Sequence, residues 1–172
     1  IQASLVGSEM CIRDRFFKDI PEAKGTLDFV GLNYYTHVLV GPASVSLLKM
    51  KFPKRRQEVA TEFGYPMYAE GLRRAIEFLA PLNVPIEITE NGVADAEDTL
   101  RTEHLRRHLW VLSNAVKDGH DVRSYHHWSL MDNFEWAEGY SMRFGLHRVD
   151  FESQERTLRP SGEVYKAIVG RR

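Results

Sequence analysis

Disulfides are excluded first: the 172 residues include one cysteine, Cys11, which has no internal partner. A bias of charge is also missing. Lys plus Arg number 23 against 24 Asp plus Glu, a formal charge of −1, so no broad field favours nucleic acid or an anionic membrane surface. The longest apolar runs are far too short to span a bilayer. No nucleic-acid partner and no membrane are therefore expected, and nothing in the chain speaks to its oligomeric state. The first residues have neither the basic start nor the apolar centre of a signal peptide, although a truncated N-terminus would hide one, and a cytoplasmic setting is expected. What is present, 43% apolar and 27% charged residues, is the composition of a globular domain with a core.

The segment Ser4 to Arg15, SLVGSEMCIRDR, shows no helical or strand period and resembles the in-frame translation of a sequencing-library adapter. Residues 1–15 are accordingly expected to be a non-native or irregular segment, and 16–172 one folded unit whose natural sequence begins near Phe16 with an unknown length before it.

Beyond Phe16 the chain alternates between two kinds of pattern. GTLDFVGLNYYTHVLVG, from Gly25, is rich in Val, Phe, Tyr and Leu between glycines and predicts a buried strand followed by a loop. Pro42 to Tyr65 is a long connection carrying the basic run Lys49 to Arg56. Leu72, Ala75, Ile76 and Leu79 then recur at helical spacing up to Pro81. VPIEITENG predicts a second strand, and DAEDT supplies caps for a helix whose stripe is read as Leu105, Leu109, Leu112 and Val116, ending at Gly119. DVRSYHHWSLMD predicts a third strand, GLHRVDF a short one, and PSGEVYKAIVG a closing helix. Strands read as apolar throughout and separated by helices indicate a parallel α/β fold. Such folds place chemistry at the C-terminal strand ends, where Asn33-Tyr34-Tyr35, Glu90 and Trp128 fall.

Glu90 stands before Asn91-Gly92, and Glu-Asn-Gly after a strand is by itself adequate turn punctuation, because Asn and Gly adopt positive φ cheaply. WSLMDNFEW, Trp128 to Trp136, tilts the reading toward a site: it packs indoles and a phenyl among acid and amide side chains. A sugar ring needs that combination, an aromatic face for its C–H surface and directed hydrogen-bond groups for its hydroxyls. His104 and His108 have the i,i+4 spacing of a metal pair, but no third ligand is evident and exposed helix histidines are expected. No metal is expected.

DFVGLNYYT, EITENG and WSLMDNFEWAEGYSMRFG, in this order, resemble three motifs of the glycoside hydrolase family 1 β-glycosidases. The resemblance runs from about Leu27 to Ile168. It implies the C-terminal part of a (β/α)₈ TIM barrel, about three βα units with parallel strands, that hydrolyses β-glucosides or related β-glycosides with retention, without a cofactor and with a small carbohydrate as its partner. Residue by residue it implies Glu90 as nucleophile and Tyr35 as the hydroxyl that orients it. Asn33 would line the same pocket, and Trp128 would be the stacking platform. Glu135 and Trp136 would bind the outer hydroxyls, with Phe144 an aromatic wall nearby.

Retaining hydrolysis takes two carboxyl groups about 5–5.5 Å apart, one attacking and one donating a proton. The family's acid/base glutamate lies in an Asn-Glu-Pro motif, and no Asn-Glu-Pro occurs in this sequence. The resemblance therefore implies that the partner of Glu90 lay upstream, leaving this chain inactive alone. The alternative is a non-catalytic carbohydrate-binding or structural partial-barrel module using Trp128, Glu135 and Trp136.

Overall fold

The β-branched and aromatic runs form strands β1 (Val30–Asn33), β2 (Ile86–Asn91) and β3 (Val122–His127) in a computed structural model that describes residues 25–37 and 59–170. The adapter-like segment, the boundary at Phe16 and the basic run Lys49 to Arg56 lie outside the described residues. The sheet order is β1-β2-β3, with both neighbouring pairs parallel. Helix α1 (Glu70–Leu79) joins β1 to β2, and α2 (Arg101–Lys117) joins β2 to β3, since parallel neighbours need a crossover of a dozen residues or more. An antiparallel pair, β4 (His147–Val149) and β5 (Arg156–Leu158), precedes α3 (Pro160–Val169). The expected parallel order is observed; β5, the partner of the short strand, was not anticipated.

Leu32, Tyr34, Ile86 and Ile88 of the β1 and β2 segments meet Leu72, Ala75 and Ile76 of α1 and Val111 and Ala115 of α2 in one cluster. Full burial of each large aliphatic side chain there stabilises by about 1.5–3 kcal/mol. Gly31, Asn33, Glu87 and Thr89 occupy the other face and are half-buried or exposed. This corrects the reading of strands apolar on both faces. Among the described residues the helices cover one face only, so β1 alternates, and β3 (Val-Arg-Ser-Tyr-His-His) has no fully buried residue. The helical crossovers, not apolar runs, are what make the pairing parallel.

In α1 the expected stripe Leu72, Ala75, Ile76 is buried, and a 3₁₀ turn, Ala80–Leu82, containing Pro81 ends it. In α2 the expected stripe is displaced. The buried face is Arg101, His104, Leu105, His108, Val111 and Ala115, whereas Val116 is 48% exposed. The helix is fastened at its two ends. The Asp95 carboxylate accepts from the N–H groups of Leu100 (2.7 Å) and Arg101 (2.9 Å), which caps the helix and favours its positive end. Gly119, at φ +95°, turns the chain out of the last turn, a conformation costly to residues with a Cβ. Between them, neutral imidazoles fill positions that a count of leucines assigns elsewhere. No described helix is long and apolar enough to cross a membrane.

Candidate active site

β1 ends at Asn33, where its register against β2 slips, pairing Leu32 with Ile88 but Asn33 with Glu90. Tyr34 and Tyr35 continue along the end of β2: the Tyr34 N–H donates to the Glu90 carbonyl at 2.9 Å, and the Tyr35 hydroxyl donates to Glu90 Oε2 at 2.7 Å. Glu90 is half-buried. Asn91 and Gly92 are not hairpin punctuation, since β2 has parallel neighbours and Asn91 is fully buried. A Cβ at Gly92 would lie 1.7 Å from the Trp128 carbonyl oxygen, so glycine is required for the two strand ends to approach. That approach lets the Trp128 N–H donate to the Asn91 carbonyl at 2.9 Å.

The other residues read from the sequence distribute around this pair. Phe144 is buried and edge-on to Tyr35, with ring centres 6.2 Å apart. Its carbonyl accepts from the Ser129 N–H at 3.2 Å, next to Trp128 across a cis peptide. Asn33 is exposed, its side-chain oxygen accepting from the Thr89 hydroxyl at 2.6 Å. Glu135 is half-buried, and its Oε2 is shielded from solvent without a hydrogen-bond partner among the described residues. Trp136 opens a 3₁₀ turn, Trp136–Glu138, and is 82% exposed, so the structure does not pack it into the group.

Electrostatics tie Glu135 to the same place. The Tyr35 phenol is pushed up, first by burial and then by its hydrogen bond to Glu90 and the charges of Glu90 and Glu135, so it stays a neutral donor. Burial, then Glu135 and Glu138, push up Tyr65 as well. Tyr65 and Phe63 pack at 4.6 Å, and Phe63 lies 6.1 Å from Phe144. This extends the aromatic wall with two residues missed in the sequence, where their alternation in Phe-Gly-Tyr was the available signal.

His104 and His108 depart from expectation: they are 1% and 0% exposed. Their rings stack at 3.9 Å and 25°, which directs the nitrogen lone pairs along near-parallel planes instead of toward one ion. Among the described residues no group of three or more His, Cys, Asp or Glu is placed to hold a metal. Burial, then His108, His127 and Arg101, pull His104 well down. Burial brings His108 to about 4, opposed by its bond to the His104 carbonyl. His127 falls to about 3 through burial, then Arg101 and His108. A separate groove between α1 and α2, lined by Ala69, Glu70, Arg106, Arg107, Trp110 and Val111, holds no hydroxyl–carboxylate pair.

The model of glycosyl hydrolase family 1 matches residues 5–172. The chain is 37% identical over 172 residues to a β-galactosidase of Saccharolobus solfataricus, covering 94% of this chain and 34% of that one. It is 39% identical over 157 residues to a β-glucosidase of Agrobacterium, covering 83% and 34%. Among solved structures, the β-glucosidase of Pyrococcus furiosus superposes with a TM-score of 0.82 at 42% identity, covering 94% of this chain and 36% of that one. The chain thus spans about a third of the length of these relatives.

Proposed function

The chain belongs to glycosyl hydrolase family 1, with its parallel βα units part of a (β/α)₈ barrel, and on that premise we propose that the complete polypeptide is a retaining β-glycosidase with Glu90 as nucleophile. The observation that carries the reading is the Tyr35 hydroxyl bound to one oxygen of the Glu90 carboxylate at 2.7 Å. One oxygen is aimed by the phenol, and the other is left to attack an anomeric carbon.

In this reading Glu90 forms an ester to C1 as the bond from C1 to the leaving oxygen breaks, and that oxygen takes a proton from a second carboxyl. Water, giving a proton back to the same carboxyl, then attacks C1 and releases Glu90. The second carboxyl is assigned to a part of the polypeptide outside these 172 residues, because the sequence has no Asn-Glu-Pro. General-acid help is worth about 10²–10⁴-fold. Glu135, with its unpartnered oxygen, accepts glycone hydroxyls and repels a phosphate, so the substrate is an unphosphorylated β-glucoside or related β-glycoside. Trp128 stacks beneath the sugar, Trp136 lies beside Glu135, and Asn33 and Phe144 line the pocket. A cytoplasmic setting is part of the proposal and is tested by cell fractionation.

An aryl β-glucoside tests the reading. The complete polypeptide is expected to turn it over, and a 2-deoxy-2-fluoro glycoside with a good leaving group is expected to leave an adduct on the Glu90 peptide. Turnover that survives Glu90→Gln refutes the nucleophile. The 172-residue chain alone is expected to be inactive; turnover by it that Glu90→Gln abolishes would place a proton donor inside it.

A further inference from the structure

We propose that Asn91 is a positioning residue for the Glu90 carboxylate, acting through Tyr34 and Tyr35 and itself held by Tyr125; the inference rests on the reading of Glu90 given above. Asn91 is fully buried, yet both ends of its side-chain amide are engaged. Nδ2 donates to the Tyr34 carbonyl at 2.7 Å, and Oδ1 accepts from the Tyr125 hydroxyl at 2.9 Å. Its backbone carbonyl accepts from the Trp128 N–H at 2.9 Å. One residue therefore joins the C-terminal ends of all three strands.

The slip in register explains why a side chain is needed there. Beyond Leu32 the β1 ladder no longer follows β2 residue for residue, and a buried carbonyl left without a donor is costly. The Asn91 amide supplies that donor to Tyr34. The Tyr34–Tyr35 segment is then fastened by the Tyr34 N–H to the Glu90 carbonyl (2.9 Å), the Tyr34 carbonyl to Asn91 (2.7 Å) and the Tyr35 hydroxyl to the Glu90 carboxylate (2.7 Å). The Tyr34 ring stays anchored in the core through its hydroxyl on the Tyr68 carbonyl, and Thr36 through Pro66, so releasing the middle bond frees the intervening Tyr34–Tyr35 peptide to tilt and shifts the phenol against Glu90. Tyr125 holds the amide the right way round: its hydroxyl donates to Oδ1, which leaves the NH₂ for Tyr34. The Tyr125 phenol is pushed up by burial, then by Tyr165, and remains a donor. Aspartate at position 91 has no donor for the Tyr34 carbonyl.

The test uses the complete polypeptide with an aryl β-glucoside and the variants Asn91→Ala, Asn91→Asp, Tyr125→Phe, Tyr35→Phe, the double Tyr35→Phe/Asn91→Ala, and Glu90→Gln. Asn91→Ala is expected to lower kcat by up to about 10²-fold, the order of loss that a roughly 1 Å misplacement produces, with KM changed far less. Asn91→Asp should be at least as impaired, and Tyr125→Phe should show a smaller loss of the same kind. The double variant should be no slower than Tyr35→Phe alone, because residues acting through one contact are not additive. Additive losses in the double variant, or a kcat unchanged in Asn91→Ala, overturn the proposal. If Asn91→Ala does not fold, Tyr125→Phe decides: an unchanged kcat there overturns the proposal, and a selective kcat loss supports it. Full activity in Glu90→Gln overturns the underlying reading and this inference with it, whereas loss in Glu90→Gln beside normal Asn91 and Tyr125 variants overturns this inference alone.

Discussion

Asp132 and Glu90 are both carboxylates set among aromatic residues, and the molecule holds them in opposite ways. The Asp132 side chain is fully buried beside Arg159. Oδ1 accepts from the Gly145 N–H at 2.9 Å and Arg159 Nη1 at 3.0 Å, and Oδ2 accepts from Arg159 Nη2 at 3.1 Å and the Val149 N–H at 3.2 Å. Arg159 also donates to the Gly145 carbonyl at 2.7 Å. With donors on both oxygens, Asp132 has no oxygen left to attack; it pins the Trp128 loop to β4 and α3. Glu90 accepts from one hydroxyl and stays half-buried. Among the described residues, what sets the two side chains apart is four hydrogen bonds onto Asp132 against one onto Glu90, together with the deeper burial of Asp132.

The sharpest way to break the contrast is to remove the charge at each end. Glu90→Gln in the complete polypeptide should lower kcat on the order of 10⁴-fold or more, as loss of a nucleophile does, while the thermal midpoint stays where it was. A comparable fall in the midpoint would make Glu90 a strut too. Asp132→Ala leaves the Arg159 guanidinium buried and unpaired and should destabilise by about 3–5 kcal/mol in urea unfolding. A loss below about 1 kcal/mol, the scale of an exposed pair, would dissolve the distinction.

Smaller effects refine it. Tyr35→Phe removes the hydroxyl donor on Glu90, a bond to a charged group worth about 1.5–3 kcal/mol, and should appear as a kcat loss of about 10–100-fold with a smaller fall in stability than Asp132→Ala. The buried histidines give a further test. The unfolded chain takes up protons near the ordinary histidine value of 6.5, but folded His108 only near 4 and His127 near 3. Because folding favours the neutral rings, stability is full above 6.5 and falls as pH drops from 6.5 toward those values. The loss is about 1.4 kcal/mol per pH unit for each imidazole. Urea midpoints between about pH 7.5 and pH 5.5, a range in which ordinary carboxylates titrate little, should decline. The decline should be shallower in His108→Phe, and a flat response in the unsubstituted protein would contradict the assignment.

Legibility followed the same divide. The βα alternation, the buried face and end of α1 and the strand-end position of Glu90 could be read because hydrophobic period, proline and glycine act over a few neighbouring residues. The tyrosine beside Glu90 was legible only through its motif. Missed were the burial of His104 and His108, the amide of Asn91, the wall of Phe63 and Tyr65, and the hydrogen bonds that hold Asp132.

By itself, then, the sequence determined which segments become strands and helices, and which residue types stand at the strand ends. It did so because periodicity and turn chemistry are properties of a segment and its immediate neighbours. Only the tertiary structure decided what each polar group faces. Tyr35 finds Glu90 across 55 residues, and Asn91 finds Tyr34 across 57. Those meetings depend on a register slip between β1 and β2 and on a glycine that lets Trp128 come close. How a carboxylate is held depends on the donors within about 3 Å of it, and that distance is set by packing between segments far apart in the chain.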